Sequence, residues 1–162
     1  MTQPESESPP PGPTPAGSRW YEAGLCFSCT ACGNCCKSNG EYSHVYVTSP
    51  EITELARFLG VSETQFRAER IQEEDGWTTL VMEGPDCFFL DEKGHCRVYP
   101  VRPRQCRSWP FWEENLKPGV WQGPMKEICP GLDSGPRVSA DEIDRIARAN
   151  EEWYESDGRS NG

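Results

Sequence analysis

The chain has 162 residues, with 16 Lys and Arg against 26 Asp and Glu, and a formal net charge of −10. That length admits one domain with tails, and an acidic chain without a Lys/Arg stripe lacks the electrostatic footprint of a nucleic-acid binder. No run reaches the about 18 apolar residues expected of a membrane-spanning helix, so neither nucleic acid nor membrane is an expected partner.

Leu, Ile, Val and Phe together make up about 16% of the chain. With so high a net charge, that content would ordinarily mark a disordered protein. Six Trp and nine Cys argue otherwise. A small domain with little aliphatic core needs staples, and inside a cell the staple is bound metal. The expected fold class is therefore α+β: a small, irregular, cysteine-rich, metal-stapled domain with short helices, a β-hairpin and long ordered loops.

Residues 1–18 are rich in Pro, Ser and Gly and predict a disordered tail. They show neither the basic n-region nor the apolar h-region of a secretory signal, so the expected compartment is the cytoplasm. The domain is expected over residues 19–155, with a frayed end over 156–162. Trp20, Tyr21, Leu25 and Phe27 are expected to pack beside the first cysteines.

The run Cys26-Phe27-Ser28-Cys29-Thr30-Ala31-Cys32-Gly33-Asn34-Cys35-Cys36 holds five cysteines in eleven residues. Such density means a disulfide knot, a metal site or redox chemistry. Adjacent Cys35 and Cys36 and an odd total fit a disulfide framework poorly, and a reducing compartment disfavours one. Metal is the expectation. A C-x2-C turn aims backbone N–H groups at sulfur and brings two thiolates to one ion, and Gly33 would let the loop adopt positive φ near the metal. Cys26-x2-Cys29-x2-Cys32-x3-Cys36 also has bacterial ferredoxin spacing, although Lys37 stands where the usual proline would be.

Beyond this run, His44–Thr48 is β-favouring. Thr48 and Glu51 have capping-box spacing, Pro50 suits a first turn, and Ile52, Leu55, Ala56 and Leu59 form an amphipathic stripe ended by Gly60. Ser62 and Gln65 open a second helix through about Gln72, with Phe66 and Ile71 inward, and Glu73, Glu74 and Asp75 read as a solvated turn. Trp77–Met82 predicts a strand. Cys87–Leu90, the turn Asp91-Glu92-Lys93-Gly94 and His95–Tyr99 predict a hairpin in which Leu90 opposes His95 and Phe89 opposes Cys96. In that register Cys87 and Cys96 share a face as diagonal neighbours. Residues 100–136 predict an ordered loop around the metal region, because Trp109, Phe111, Trp112 and Trp121 need burial. Ser139 and Glu142 repeat the capping-box spacing before a helix of about 15 residues carrying Ile143, Ile146, Ala147 and Trp153.

The second group of cysteines is Cys87, Cys96, Cys106 and Cys129. Soft sulfur ligands select zinc, iron–sulfur clusters or copper(I) over magnesium or calcium. Arg97, Arg102, Arg104 and Arg107 either relieve the thiolate charge or line a solvated loop. His44 and His95 are expected to be structural or exposed. No phosphate loop, Ser/His/Asp signature or supported carboxylate pair appears.

Phe27-x-Cys29-x2-Cys32-Gly33-x-Cys35-Cys36, Cys87-Phe88-Phe89-Leu90 and Gly94-x-Cys96 stand in the same order as in a known family. So do Tyr99-x2-Arg102-Pro103-x2-Cys106-Arg107-x2-Pro110 and Cys129-Pro130-Gly131. With these motifs the chain resembles the CxxCxxCC, or YkgJ-type, zinc- or iron-chelating cysteine-cluster proteins over roughly residues 20–132. The resemblance implies a metal set of Cys29, Cys32, Cys35, Cys36, Cys87, Cys96, Cys106 and Cys129, with Cys26 extra. It implies an iron–sulfur cluster or zinc as cofactor, metal ions as partners, and no assigned catalytic residue. A flagellin lysine methylase looks like a distant relative, but this chain has no glycine-rich fingerprint for a methyl donor. Three functions stay open: a metal-binding protein, a redox or methyl-transferring enzyme using the cluster, and a thiol-redox or metal-handling protein.

Overall fold

A computed structural model describes residues 19–37, 44–82 and 84–156. The expected tails fall outside these residues, except for Ser156 at the end of the last helix. In chain order the elements are β1 (Leu25–Phe27), α1 (Ser49–Leu59), α2 (Glu63–Arg70), β2 (Ile71–Glu74) and β3 (Trp77–Leu80). Then come α3 (Arg104–Ser108), α4 (Pro118–Trp121), α5 (Pro124–Ile128), β4 (Leu132–Val138) and α6 (Ala140–Ser156). Short helices with two small antiparallel sheets make this an α+β domain.

The first helix forms as its caps dictate. The Thr48 hydroxyl accepts from the Glu51 N–H, and Glu51 Oε2 accepts from the Thr48 N–H at 2.8 Å, a reciprocal box that satisfies two otherwise orphaned donors. Gly60 ends the helix in the left-handed region at φ 71°. Ile52, Leu55 and Ala56 are buried, whereas Leu59 and Phe58 are exposed. Ser62 caps α2 through the Gln65 N–H, and Phe66 is buried. That helix stops at Arg70, two residues short of expectation, because Ile71–Glu74 pair with Trp77–Leu80 around a two-residue turn. Asp75 at φ 52° and Gly76 at φ 82° give that turn the mirror-image form that hairpins prefer. Only Asp75 of the expected acidic turn is therefore in the turn, and Glu73 and Glu74 are strand.

Three further expectations are corrected. His44–Thr48 is not a full strand: Tyr46 makes an isolated bridge to Thr79, extended by bonds between Val47 N–H and Thr78 O and between Leu80 N–H and Val45 O. The hairpin over residues 87–99 reduces to one bridge, Leu90 to Cys96, one residue out of the expected register. The cause is local. Asp91 Oδ1 accepts from the Lys93 and His95 N–H groups at 2.9 and 2.8 Å, and Gly94 takes φ 82°, so His95 is drawn into the loop. Third, residues 100–136 are not one loop. They contain α3, α4, α5 and most of β4, which pairs with β1.

The apolar side chains collect in two separate clusters. One gathers Leu25, Phe111, Leu116, Trp121, Met125, Cys129, Leu132, Ile143 and Ala147 from the ends of the domain. Phe111 stacks on Trp121 at 5.9 Å and meets Phe27 edge-on at 5.8 Å. The other gathers Val47, Ile52, Leu55, Ala56, Phe66, Leu80, Phe89 and Val98 from the middle. Full burial of an Ile or Leu is worth about 1.5–3 kcal/mol, so each cluster is modest by itself. Polar contacts tie the two together. Glu51 Oε1 accepts the Arg104 N–H at 2.6 Å and joins α1 to α3. Arg104 in turn lies 4.3 Å over Trp153 of α6. The cysteine-bearing segments occupy the seam between the clusters.

Candidate metal centre

The seam is assembled by backbone contacts before any sulfur chemistry is considered. The loop Cys29–Cys36 docks on three other segments. Its start is held by the Ser28 N–H donating to Gly131 O. Gly131 is packed so closely that a Cβ there would overlap Ser28 O. Its middle rests on the turn before Cys96: Gly33 has φ 74°, and a Cβ would overlap Gly94 O and lie 2.8 Å from Leu90 Cδ1. Glycine is required at position 33 on both counts. Its end is tied by the Cys87 N–H donating to Cys36 O at 2.7 Å and by a bridge between Lys37 and Asp86. The Asn34 side-chain N–H donates to Ile128 O at 2.8 Å and anchors the loop next to Cys129.

This framework turns eight of the nine cysteines, all free thiols, toward two adjoining cavities. The smaller, about 30 Å³, is lined by Cys29, Cys32, Cys35 and Cys129, with Phe27, Ile128 and Trp109 around them. The larger, about 420 Å³, is lined by Cys36, Cys87, Cys96 and Cys106, with Cys29 and Cys35 at its boundary with the first. Cys26 lines neither cavity and pairs with Arg137 in the β1–β4 sheet.

The electrostatics show how strongly the sulfurs interact. The Cys36 thiol is within hydrogen-bonding reach of Cys35, Cys87 and Cys96, which pushes its own pKa far above the usual thiol value. The same shared proton pulls Cys35 down to about 7 and Cys96 to about 6, and lowers Cys87. Burial pushes the Cys106 and Cys129 thiols up, toward the neutral protonated form. Among the described residues no three His, Cys, Asp or Glu side chains already stand at the spacing of a closed metal site. The thiols that line the two cavities are all soft sulfur donors, the ligand type that zinc and iron take.

The surrounding residues divide in role. Arg102 stacks 3.9 Å over Tyr99 and donates to its carbonyl, and its charge favours the thiolates of Cys35, Cys96 and Cys106. Arg97 donates to Phe88 O and also favours the Cys96 thiolate. Arg104 turns away to Trp153 and Asn150. His44 faces Glu74 at 3.3 Å and His95 faces Asp91, as expected of structural or exposed histidines. Sequence reasoning gave no role to Tyr99 and Asn34 or to the indole N–H of Trp109. Tyr99 is hydrogen-bonded with Cys29, and Trp109 donates to Cys129. Tyr99, Gly94 and Gly131 stood in the recurring motif, which was the available signal. No such signal marked Asn34 or Trp109.

Comparison with known proteins agrees with this geometry. A family model named CxxCxxCC, described as "Putative zinc- or iron-chelating domain", matches residues 28–130, well over half of the chain. The curated protein "Uncharacterized protein MJ0661" of Methanocaldococcus jannaschii is 29% identical over 135 residues, covering 78% of this chain and 69% of that protein. No solved structure matches. Among the described residues no helix is long and apolar enough to cross a membrane. With its cysteine run, its second set of thiols and the model match spanning both, the chain belongs to the CxxCxxCC family of zinc- or iron-chelating domains.

Proposed function

We propose that this protein holds metal through eight thiolates in two neighbouring groups, and that the metal joins its two small cores. The first group is Cys29, Cys32, Cys35 and Cys129, which line the small cavity. The second is Cys36, Cys87, Cys96 and Cys106, open to the large one. Cys35 borders both and goes to the first, which has only three thiols without it. The observation that carries the reading is the convergence of four distant chain segments, with all eight sulfurs and no Cys26, on one seam between the hydrophobic clusters.

The two groups are suited to different tasks. Four thiolates around a small space are the arrangement of a structural site. Thiolates on an open cleft leave room for a cluster, or for an ion with an exchangeable position, which is what a reactive centre needs. We expect the first group to hold a single ion of zinc type, and the cleft beside the second group leaves room for an iron–sulfur cluster at its thiol end. The site lies in the cytoplasm on this reading.

Anaerobic purification followed by metal and acid-labile sulfide analysis and an absorption spectrum tests it. Brown protein with iron and sulfide supports a cluster, and colourless protein with two zinc ions supports two ion sites. Colourless, metal-free but folded protein would overturn the reading and favour thiol exchange.

A further inference from the structure

The large cleft is bigger than its sulfurs require. Four thiolates with the ion or compact cluster between them occupy only the thiol end of a cleft of about 420 Å³. The full volume falls in the range of small-molecule sites, roughly 300–1,000 Å³. Away from the thiols the wall is largely apolar, with Val45, Leu80, Met82, Phe89 and Trp112, and His44 and Gln105 stand in it as polar groups.

The charge of the lining is unlike that of the chain. The protein carries 26 acidic residues, yet among the described residues none lines the cleft, whereas Lys37, Arg102 and Arg107 do. Arg102 is committed to Tyr99 and to the thiols. Arg107 is exposed and pairs with no carboxylate among the described residues. Its nearby charge is another cation, Arg104, whose ionised form it disfavours. A largely apolar cleft with a guanidinium at its exposed edge fits a ligand with a hydrocarbon body and a negative end.

We propose that the cleft binds a small apolar carboxylate, its body along Leu80, Phe89 and Trp112 and its carboxylate on Arg107, beside the second thiol group. The proposal rests on the metal reading for what fills the thiol end, and its test separates the two. Phenylacetate, benzyl alcohol and benzylamine are titrated calorimetrically into the full-length protein as isolated anaerobically, with metal content read on the same sample. An exposed guanidinium–carboxylate pair is worth up to about 1 kcal/mol, so phenylacetate is expected to bind roughly two- to fivefold more tightly than the alcohol. The amine is expected to bind most weakly. Arg107→Gln should bring phenylacetate down to the alcohol's affinity, and Met82→Trp should weaken both by filling the cleft. Equal binding of all three probes, or unchanged phenylacetate affinity in Arg107→Gln, overturns the proposal. Metal present with no selective binding overturns this inference alone. Selective binding by metal-free protein supports it and overturns the metal reading.

Discussion

Gly33→Ala is the sharpest test of how the seam is built. A methyl group there meets two penalties. At φ 74° an L-residue costs about 1–2 kcal/mol. The added carbon also overlaps Gly94 O and stands 2.8 Å from Leu90 Cδ1, and forcing packed backbone apart adds roughly 1–3 kcal/mol. Gly60→Ala is the control, because Gly60 has φ 71° but nothing within 4 Å of its added carbon. Both variants change the unfolded chain alike, so the difference isolates the contact between the first cysteine loop and the Cys96 turn. Gly33→Ala should therefore melt about 4–12 °C below Gly60→Ala, taking roughly 4 °C per kcal/mol for this size. It should also retain less metal. Thermal unfolding by circular dichroism, with metal analysis of the folded fraction, reads both. Equal melting temperatures would refute the idea that the loop and turn are locked together.

Three further outcomes follow from the geometry. Cys26→Ser should keep the full metal content, since Cys26 lines neither cavity; substantial metal loss by elemental analysis would overturn the ligand list. Glu51→Ala leaves the Thr48 cap in place but removes the carboxylate half of the box and the acceptor for the Arg104 N–H, so two backbone N–H groups lose their partner and denaturant unfolding should show a loss of roughly 2–3 kcal/mol; a loss below about 0.5 kcal/mol would contradict that double role. Burial, then the bond to Asp144, raises the Tyr21 hydroxyl from 10.0 to about 12. Below pH 10 the group is protonated folded and unfolded and contributes no pH dependence. From pH 10 to 12 the unfolded chain ionises first and the fold loses stability. Tyr21→Phe should flatten that decline in an alkaline unfolding series, and an unchanged slope would count against the assignment.

Much of the fold was written locally and could be read. The capping box of α1, the Ser62 cap of α2 and the apolar spacing of α6 are satisfied within a few residues, so sequence and structure agree there. Even so, only half of the second box forms: Ser139 Oγ accepts the Glu142 N–H, while the Glu142 carboxylate bonds Arg145. The pairing of β1 with β4 joins residues more than a hundred positions apart, and nothing local marks either partner. Asp75-Gly76 did carry a hairpin signal, but Gln72, Glu73 and Glu74 are poor strand formers and hid it. The slip between Leu90 and Cys96 came from one side chain, Asp91, closing a larger loop than a four-residue turn.

For the candidate site, the types and spacing of the cysteines carried the chemistry. Which cysteines face which cavity depended on the segments that Gly33, Asn34 and Gly131 bring into contact, which spacing does not contain.

The central claim is that early and late cysteines share one metal and that two groups exist side by side. Metal stoichiometry of Cys32→Ser, Cys129→Ser and the double variant, against Cys106→Ser, tests it most directly. The account predicts that the first three lose the same metal complement, that Cys106→Ser loses the other, and that Cys32→Ser/Cys106→Ser loses both. If the Cys32→Ser/Cys129→Ser protein lost more metal than either single variant, the two residues would serve different sites, and the seam would not be held as described.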